Sequence, residues 1–194
     1  MNVGVTTAAE GFPRRAFTVE DISRMIEAGV IHEDEKFELI EGEIVVREAK
    51  DFAHERIKSA LTVAVCRALP ADLTIGVETT LRLTNMIILE PDIAVFPKHL
   101  FKRSTAFVQL DPGEAHLVIE VAASSLAYDK GLKARLYARH RVKEFWVIDA
   151  NTSSTWVHAG PSGDGWTSVT ERGPQDRLTT PGLLGFSIRL DEID

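Results

Sequence analysis

A mixed α/β architecture of the α+β kind, with a central mixed β-sheet flanked by helices, follows from the pattern of apolar residues. Apolar runs of strand length recur at 87–96, 115–123 and 144–149. Helical spacing of apolar residues marks 52–68 and 128–141. The succession strand–helix–strand over 115–149 implies secondary structure in packed layers.

The elements can be taken in chain order. Residues 1–16 lack periodicity and are expected to form a flexible N-terminal arm, with one domain over 17–194. Thr18 with Asp21 three residues on resembles an N-cap, Ile22, Met25 and Ile26 have helical spacing, and Gly29 is a natural stop. A short N-terminal helix over about 18–28 follows. The stretch 37–46 reads as a hairpin turning at Glu41-Gly42. A longer helix over 52–68 carries Ile57, Leu61, Val65 and Leu69 on one stripe, closed by Pro70. Strands are expected in 73–83 and 87–96, then at 115–123, interrupted by the single charge Glu120. The helix at 128–141 and the strand at 144–149 follow. Short strands at 155–158 and 167–171 around the Gly/Pro/Ser turn at 160–165, and a last strand at 183–190, make a C-terminal β extension.

Composition narrows the function classes. A hydrophobic fraction of 44% with 26% charged residues is ordinary globular composition, and no apolar run reaches the ~18–20 residues of a membrane span. The first fifteen residues contain Arg14 and Arg15 but no apolar core, so no secretory signal is expected and the cytoplasm is the expected compartment. One cysteine, Cys66, excludes an internal disulfide and any multi-cysteine metal site. Twenty-two Lys and Arg against 29 Asp and Glu give a net charge of −7, which argues against general coating of nucleic acid but permits a local basic groove.

Two acids stand where strands should be apolar. Asp92 follows Pro91 and precedes Ile93-Ala94-Val95-Phe96. Glu120 lies in Leu117-Val118-Ile119-Glu120-Val121-Ala122, where alternation puts Val118, Glu120 and Ala122 on one face. A carboxylate there is costly unless paired, hydrogen-bonded or bound to a cation. Two carboxylates converging from neighbouring strands make a hard-oxygen site suited to Mg²⁺ or Mn²⁺, although each acid could instead pair with a buried Arg or cap a backbone turn. In the helix after Glu120, Leu132 and Leu136 mark the buried face, with Lys133 on its flank near Asp129, Tyr137 and His140. Lys130, Arg135, Arg139 and Arg141 are placed to face solvent or a polyanion, and Lys98, Lys102 and Arg103 could form a second basic patch. Trp146, Trp156 and Trp166 are expected to pack in the core or on the sheet, and Gly163-Asp164-Gly165 to form a turn.

Several stretches recur together: Phe37-Glu38-Leu39-Ile40-Glu41-Gly42, His54 opening a helix, Pro91-Asp92 before a strand, and Ile119-Glu120-Val121-Ala122-Ala123-Ser124. Asp129, Lys133 and Tyr137 follow at spacings of four, and Val142-Lys143-Glu144-Phe145-Trp146-Val147-Ile148-Asp149 closes the set. In order and spacing they resemble the bacterial restriction-endonuclease-like family long catalogued as a domain of unknown function, within the PD-(D/E)XK nuclease superfamily. The resemblance covers about 17–190. It implies a restriction-endonuclease-like core and a metal-dependent endonuclease acting on DNA. Asp92 and Glu120 match the Mg²⁺- or Mn²⁺-binding acids of that superfamily. The motif lysine two residues after the Glu is replaced by Ala122, which makes Lys133 the candidate for a lysine moved to the next helix. Glu38 matches an early acid that could bind metal or position the lysine, and His54 and Tyr137 are candidate positioning residues. A homodimer would suit an enzyme that cuts both strands. The competing reading is a nuclease-like scaffold that no longer cuts and serves as a DNA- or protein-binding or dimerisation module.

Overall fold

The computed structural model describes residues 5–6, 13–32, 35–47, 50–103 and 107–193. The chain forms two compact units, one from 1–49 with 80–90 and one from 50–79 with 91–194. Much of the arm expected over 1–16 lies outside the described residues. No helix among the described residues is long and apolar enough to cross a membrane.

In the first unit β1 (Val5–Thr6) pairs antiparallel with β2 (Arg14–Arg15). The expected N-terminal helix is α1 (Val19–Glu27), opened by a complete capping box: the Thr18 hydroxyl oxygen accepts from the Asp21 N–H, and Asp21 accepts from the Thr18 N–H. The hairpin is β3 (Phe37–Ile40) with β4 (Glu43–Val46). Its turn has φ of 49° at Glu41 and 88° at Gly42, the two positive values of a type I′ turn. Glycine is required there twice over, because a Cβ on Gly42 would stand 2.6 Å from that of Ala16. Strand β3 also pairs with β7 (Ile87–Leu89), which pairs with β6 (Leu81–Thr84).

The second unit is built on a six-stranded mixed sheet in the order β13-β12-β11-β10-β8-β5. Strand β5 (Leu73–Val77) lies antiparallel to β8 (Ile93–Pro97), and β8 antiparallel to β10 (Leu117–Ala122). Strand β10 runs parallel to β11 (Glu144–Asp149). The crossover between them holds α4 (Leu126–Tyr128), a π-helical turn (Asp129–Lys133) and α5 (Ala134–Arg139), the expected strand–helix–strand unit. The hairpin of β12 (Thr155–Ser162) and β13 (Gly165–Arg172) supplies the expected C-terminal β extension. Helix α3 (Leu100–Arg103) and the short β9 (Val108–Gln109) lie between β8 and β10 in the chain.

Helix α2 (Phe52–Ala68), capped by Asp51, presents Ile57, Leu61 and Val65 to Ile93, Val95, Leu117, Ile119, Val121, Trp146 and Ile148. This is the apolar face predicted by alternation in β10. Trp146 belongs to this core, and its indole N–H donates to Glu144.

Two expectations need correction. The segment 183–190 is not a strand. It makes an isolated bridge between Leu178 and Ile188 and ends in a 3₁₀ turn (Leu190–Glu192). Leu183 and Phe186 enter the core from the loop and Leu190 from the 3₁₀ turn, and Gly185, at φ 83°, breaks the extended run. Leu132 is only half-buried, because the π turn widens the helix and turns Lys133 and Ala134 inward instead.

Leu61 is fully enclosed between α2 and the sheet. Leu61→Ala is expected to cost about 2–5 kcal/mol, read as a lower urea midpoint with an unchanged m-value.

Candidate active site

The register of the sheet puts three acids in one row. Val77 pairs with Ile93, and Ile93 with Ile119, so the next residues across β5, β8 and β10 are Glu78, Asp92 and Glu120. The Glu78 N–H donates to the Asp92 carbonyl, 3.1 Å, which continues the ladder one residue past β5. Glu78 takes a left-handed φ of 47° there. Asp92 and Glu120 are 1% and 2% exposed, so their charges are met by the protein and not by water.

Asp92 is held from three sides. Its Oδ2 accepts from the Val121 N–H at 2.7 Å and from His54 Nε2 at 3.0 Å, and its Oδ1 accepts from Lys50 Nζ at 2.6 Å. Burial alone would push this carboxyl up. The His54 hydrogen bond and the charges of His54 and Lys50 outweigh it and hold Asp92 below the usual carboxylate range. Lys50 Nζ also donates to Glu78 Oε1 at 2.5 Å, and Lys58 Nζ donates to the same oxygen at 2.6 Å. Burial raises Glu78, but the two lysines bring it down to about 2. Burial lowers Lys58, and the hydrogen bonds from Lys58 to Glu55 and Glu78 more than reverse this.

Glu120 is held from the crossover helix. Its Oε1 accepts from Lys133 Nζ at 2.9 Å and from the Tyr137 hydroxyl at 3.1 Å. Lys133, 3% exposed, also lies 3.6 Å from Asp129 Oδ1, and Asp129 Oδ2 accepts from the Ser125 hydroxyl at 2.6 Å. The π turn spans Asp129–Lys133 and brings both side chains to the sheet. The structure places Lys133 on Glu120 with Tyr137 beside it, and it is the π turn that carries Lys133 inward from the flank position expected of it.

The remaining predicted residues have contacts of their own. Glu38 belongs to the first unit, where it is buried on β3 and its Oε1 accepts from the Glu90 N–H at 3.0 Å. Lys130 Nζ stands 3.3 Å from the centre of the Trp156 ring, and Arg139 makes a two-pronged pair with Asp164. Arg135, Arg141, Lys98 and Lys102 are exposed. The 163–165 turn joins β12 to β13, as expected. Lys50, Glu55, Lys58 and Glu78 were not singled out from sequence. The one available signal was Lys58, four residues after His54 and next to the apolar stripe of α2.

A hard divalent cation suits the donor chemistry of this row. Asp92 and Glu120 stand side by side across the β8–β10 ladder, and the Asp92–Glu78 pair already brackets a cationic group, the Lys50 ammonium. No three His, Cys, Asp or Glu side chains among the described residues form a ready-made cage, because each acid of the row faces lysines instead.

Residues 19–191, nearly the whole chain, match the family described as "Uma2: Putative restriction endonuclease". The chain belongs to the Uma2 family. Among solved structures it is similar to "a putative nuclease belonging to DUF820" from Anabaena variabilis, with a TM-score of 0.71 and 15% identity over 91% of this chain and 97% of that one. This likeness establishes the restriction-endonuclease-like fold. No curated protein matches the chain. The two comparisons agree with the resemblance carried by the sequence motifs.

Two tests follow for this Uma2 site. Lys133→Met leaves the carboxylates of Glu120 and Asp129 buried without their ammonium and is expected to cost about 3–5 kcal/mol in chemical denaturation. Adding Glu120→Gln should recover part of that loss, giving a positive coupling in the double-mutant cycle. Because Glu78 and Asp92 titrate lower in the folded chain than their ordinary 4.5 and 3.8, the unfolded chain binds more protons as the solution is acidified. The stability they contribute is therefore present above pH ~4.5 and lost as pH falls toward ~2. Glu78→Gln should flatten that loss when urea midpoints are compared at about pH 5 and pH 3.

Proposed function

We propose that this Uma2-family protein is a metal-dependent endonuclease that hydrolyses DNA phosphodiester bonds. The observation that carries the reading is the buried pair Asp92 and Glu120 on adjacent strands, with the Lys133 ammonium 2.9 Å from Glu120. Asp92 and Glu120 would hold Mg²⁺ or Mn²⁺, which when bound supplies Lewis acidity and lowers the pKa of its water.

The other contributions come from the chain. His54 and the Val121 N–H fix one oxygen of Asp92, so its carboxylate cannot rotate away. Tyr137 does the same for Glu120. Lys133, anchored by Glu120 and Asp129, takes the place of the lysine absent at position 122, as a group that orients water or balances charge developing on the phosphate. Arg135 and Arg141 are exposed cations of the crossover segment for contact with the DNA backbone. In this reading a homodimer would bring two such sites to the two strands.

A second reading has its own observation. Every acid of the row is already charge-paired, and Ala122 stands where the motif lysine belongs, as in a scaffold that binds without cutting.

Plasmid and single-stranded DNA incubated with Mg²⁺ or Mn²⁺ separate the two. Wild type should nick or linearise DNA, and Asp92→Ala and Lys133→Met should each lower the rate by about 10²-fold or more. Cleavage absent in wild type, or unchanged in Asp92→Ala, refutes catalysis.

A further inference from the structure

The oxygen of Asp92 that faces away from the His54 and Val121 N–H contacts, Oδ1, is bound to a side-chain cation of the same chain. Lys50 Nζ sits between Asp92 Oδ1 at 2.6 Å and Glu78 Oε1 at 2.5 Å. Asp92, one of the two residues that would hold a divalent cation, thus already carries a positive centre on this oxygen. Lys50 is far more accessible than the oxygen it covers, with its side chain 21% exposed against 1% for Asp92, and Glu78 on its other side is 29% exposed. It precedes Asp51, the N-cap of α2, so it does not sit within the helix that carries His54 and Lys58. Lys58 keeps Glu78 neutralised from the other side through its own 2.6 Å contact. Glu78 can thus hold the Lys50 ammonium after Asp92 is given up, without leaving an acid uncompensated.

Resting on the reading that Asp92 binds metal, we infer that Lys50 is an internal counter-cation of the active site, competing with the divalent ion for Asp92 Oδ1. Metal entry then requires the Lys50 ammonium to move from the Asp92–Glu78 bridge onto Glu78 alone. The ammonium keeps the row charge-balanced in the metal-free protein and raises the metal concentration needed to load it. Lys50 acts through Asp92 and is a positioning residue, distinct from Lys133 on the opposite side of the row.

The competition is read directly from metal binding, without DNA. Mn²⁺ is titrated calorimetrically into the full chain of wild type, Lys50→Met, Lys50→Gln and Asp92→Asn, with circular dichroism confirming that each is folded. Because a hydrogen bond to a charged group must be broken in wild type, Lys50→Met should bind Mn²⁺ at least about tenfold more tightly. Lys50→Gln, which keeps a donor for Glu78 but no charge, should also tighten binding, and it stands in if the methionine variant does not fold. In parallel, Mn²⁺ should raise the melting temperature of the Lys50 variants more than that of wild type. Unchanged or weaker Mn²⁺ binding in both Lys50 variants, with binding lost in Asp92→Asn, overturns the competition and leaves Asp92 as a metal ligand. Binding in Asp92→Asn equal to wild type, or no Mn²⁺ uptake by any of the proteins, overturns both the competition and the metal site on which it rests.

Discussion

Three carboxylates in one row of a β-sheet are the constraint around which the second unit is arranged. A sheet backed by the apolar core under α2 offers little water to a charge, and an isolated carboxylate moved into such a place costs several kcal/mol even after relaxation. Compensation arrives from both sides. On one side α2 brings His54 and Lys58, and the residue before its N-cap brings Lys50. On the other, the crossover helix brings Lys133 and Tyr137. The interrupted geometry of that crossover follows from the same demand. A regular helix of this phase would bury Leu132 beside Leu136, whereas the π turn gives up that contact and turns Lys133 inward to Glu120.

What could be read in the sequence divides along physical lines. Asp92 and Glu120 were visible because a charge inside an apolar run violates a local pattern, and that violation needs no knowledge of the fold. Lys133 was visible through helical phase combined with the missing lysine at position 122. The hairpin at 37–46 and the N-cap at Thr18 were legible because turn and cap chemistry are local. Glu78 and Lys50 were not legible. Glu78 joins the row only through the register of β5 against β8 and a left-handed φ, both consequences of tertiary pairing. Lys50 reads as an ordinary charged residue ahead of a helix, and its partners lie 28 and 42 residues away. The false strand at 183–190 arose from the converse effect: Leu183, Phe186 and Leu190 are apolar because they close the core, and core closure does not demand a ladder.

The basic residues of the crossover segment divide in the same way. Lys130 lies over the Trp156 ring and Arg139 is engaged by Asp164, so two of the cations expected to meet a polyanion have intramolecular roles. Arg135 and Arg141 remain exposed on a chain of net charge −7. Few phosphate contacts mean few released counterions, so any DNA affinity of this segment should be modest and only weakly dependent on salt. Productive engagement would then rest more on neutralising the acid row than on backbone electrostatics.

That consideration bears on whether the row is scaffold or machinery. Stability alone does not select it. Apolar side chains of similar volume commonly hold a core as well as a buried ion pair or better, while losing one partner of such a pair costs several kcal/mol. A sheet that needed only to be stable would place valines where Asp92 and Glu120 stand, as it does at Val118 and Val147 on the same face. The two carboxylates are instead met by lysines on both flanks, and one oxygen of Asp92 is fixed by two donors while the other meets a partly exposed lysine. Packing alone does not call for an arrangement that fixes one oxygen of Asp92 with two donors and leaves the other to a single, partly exposed ammonium.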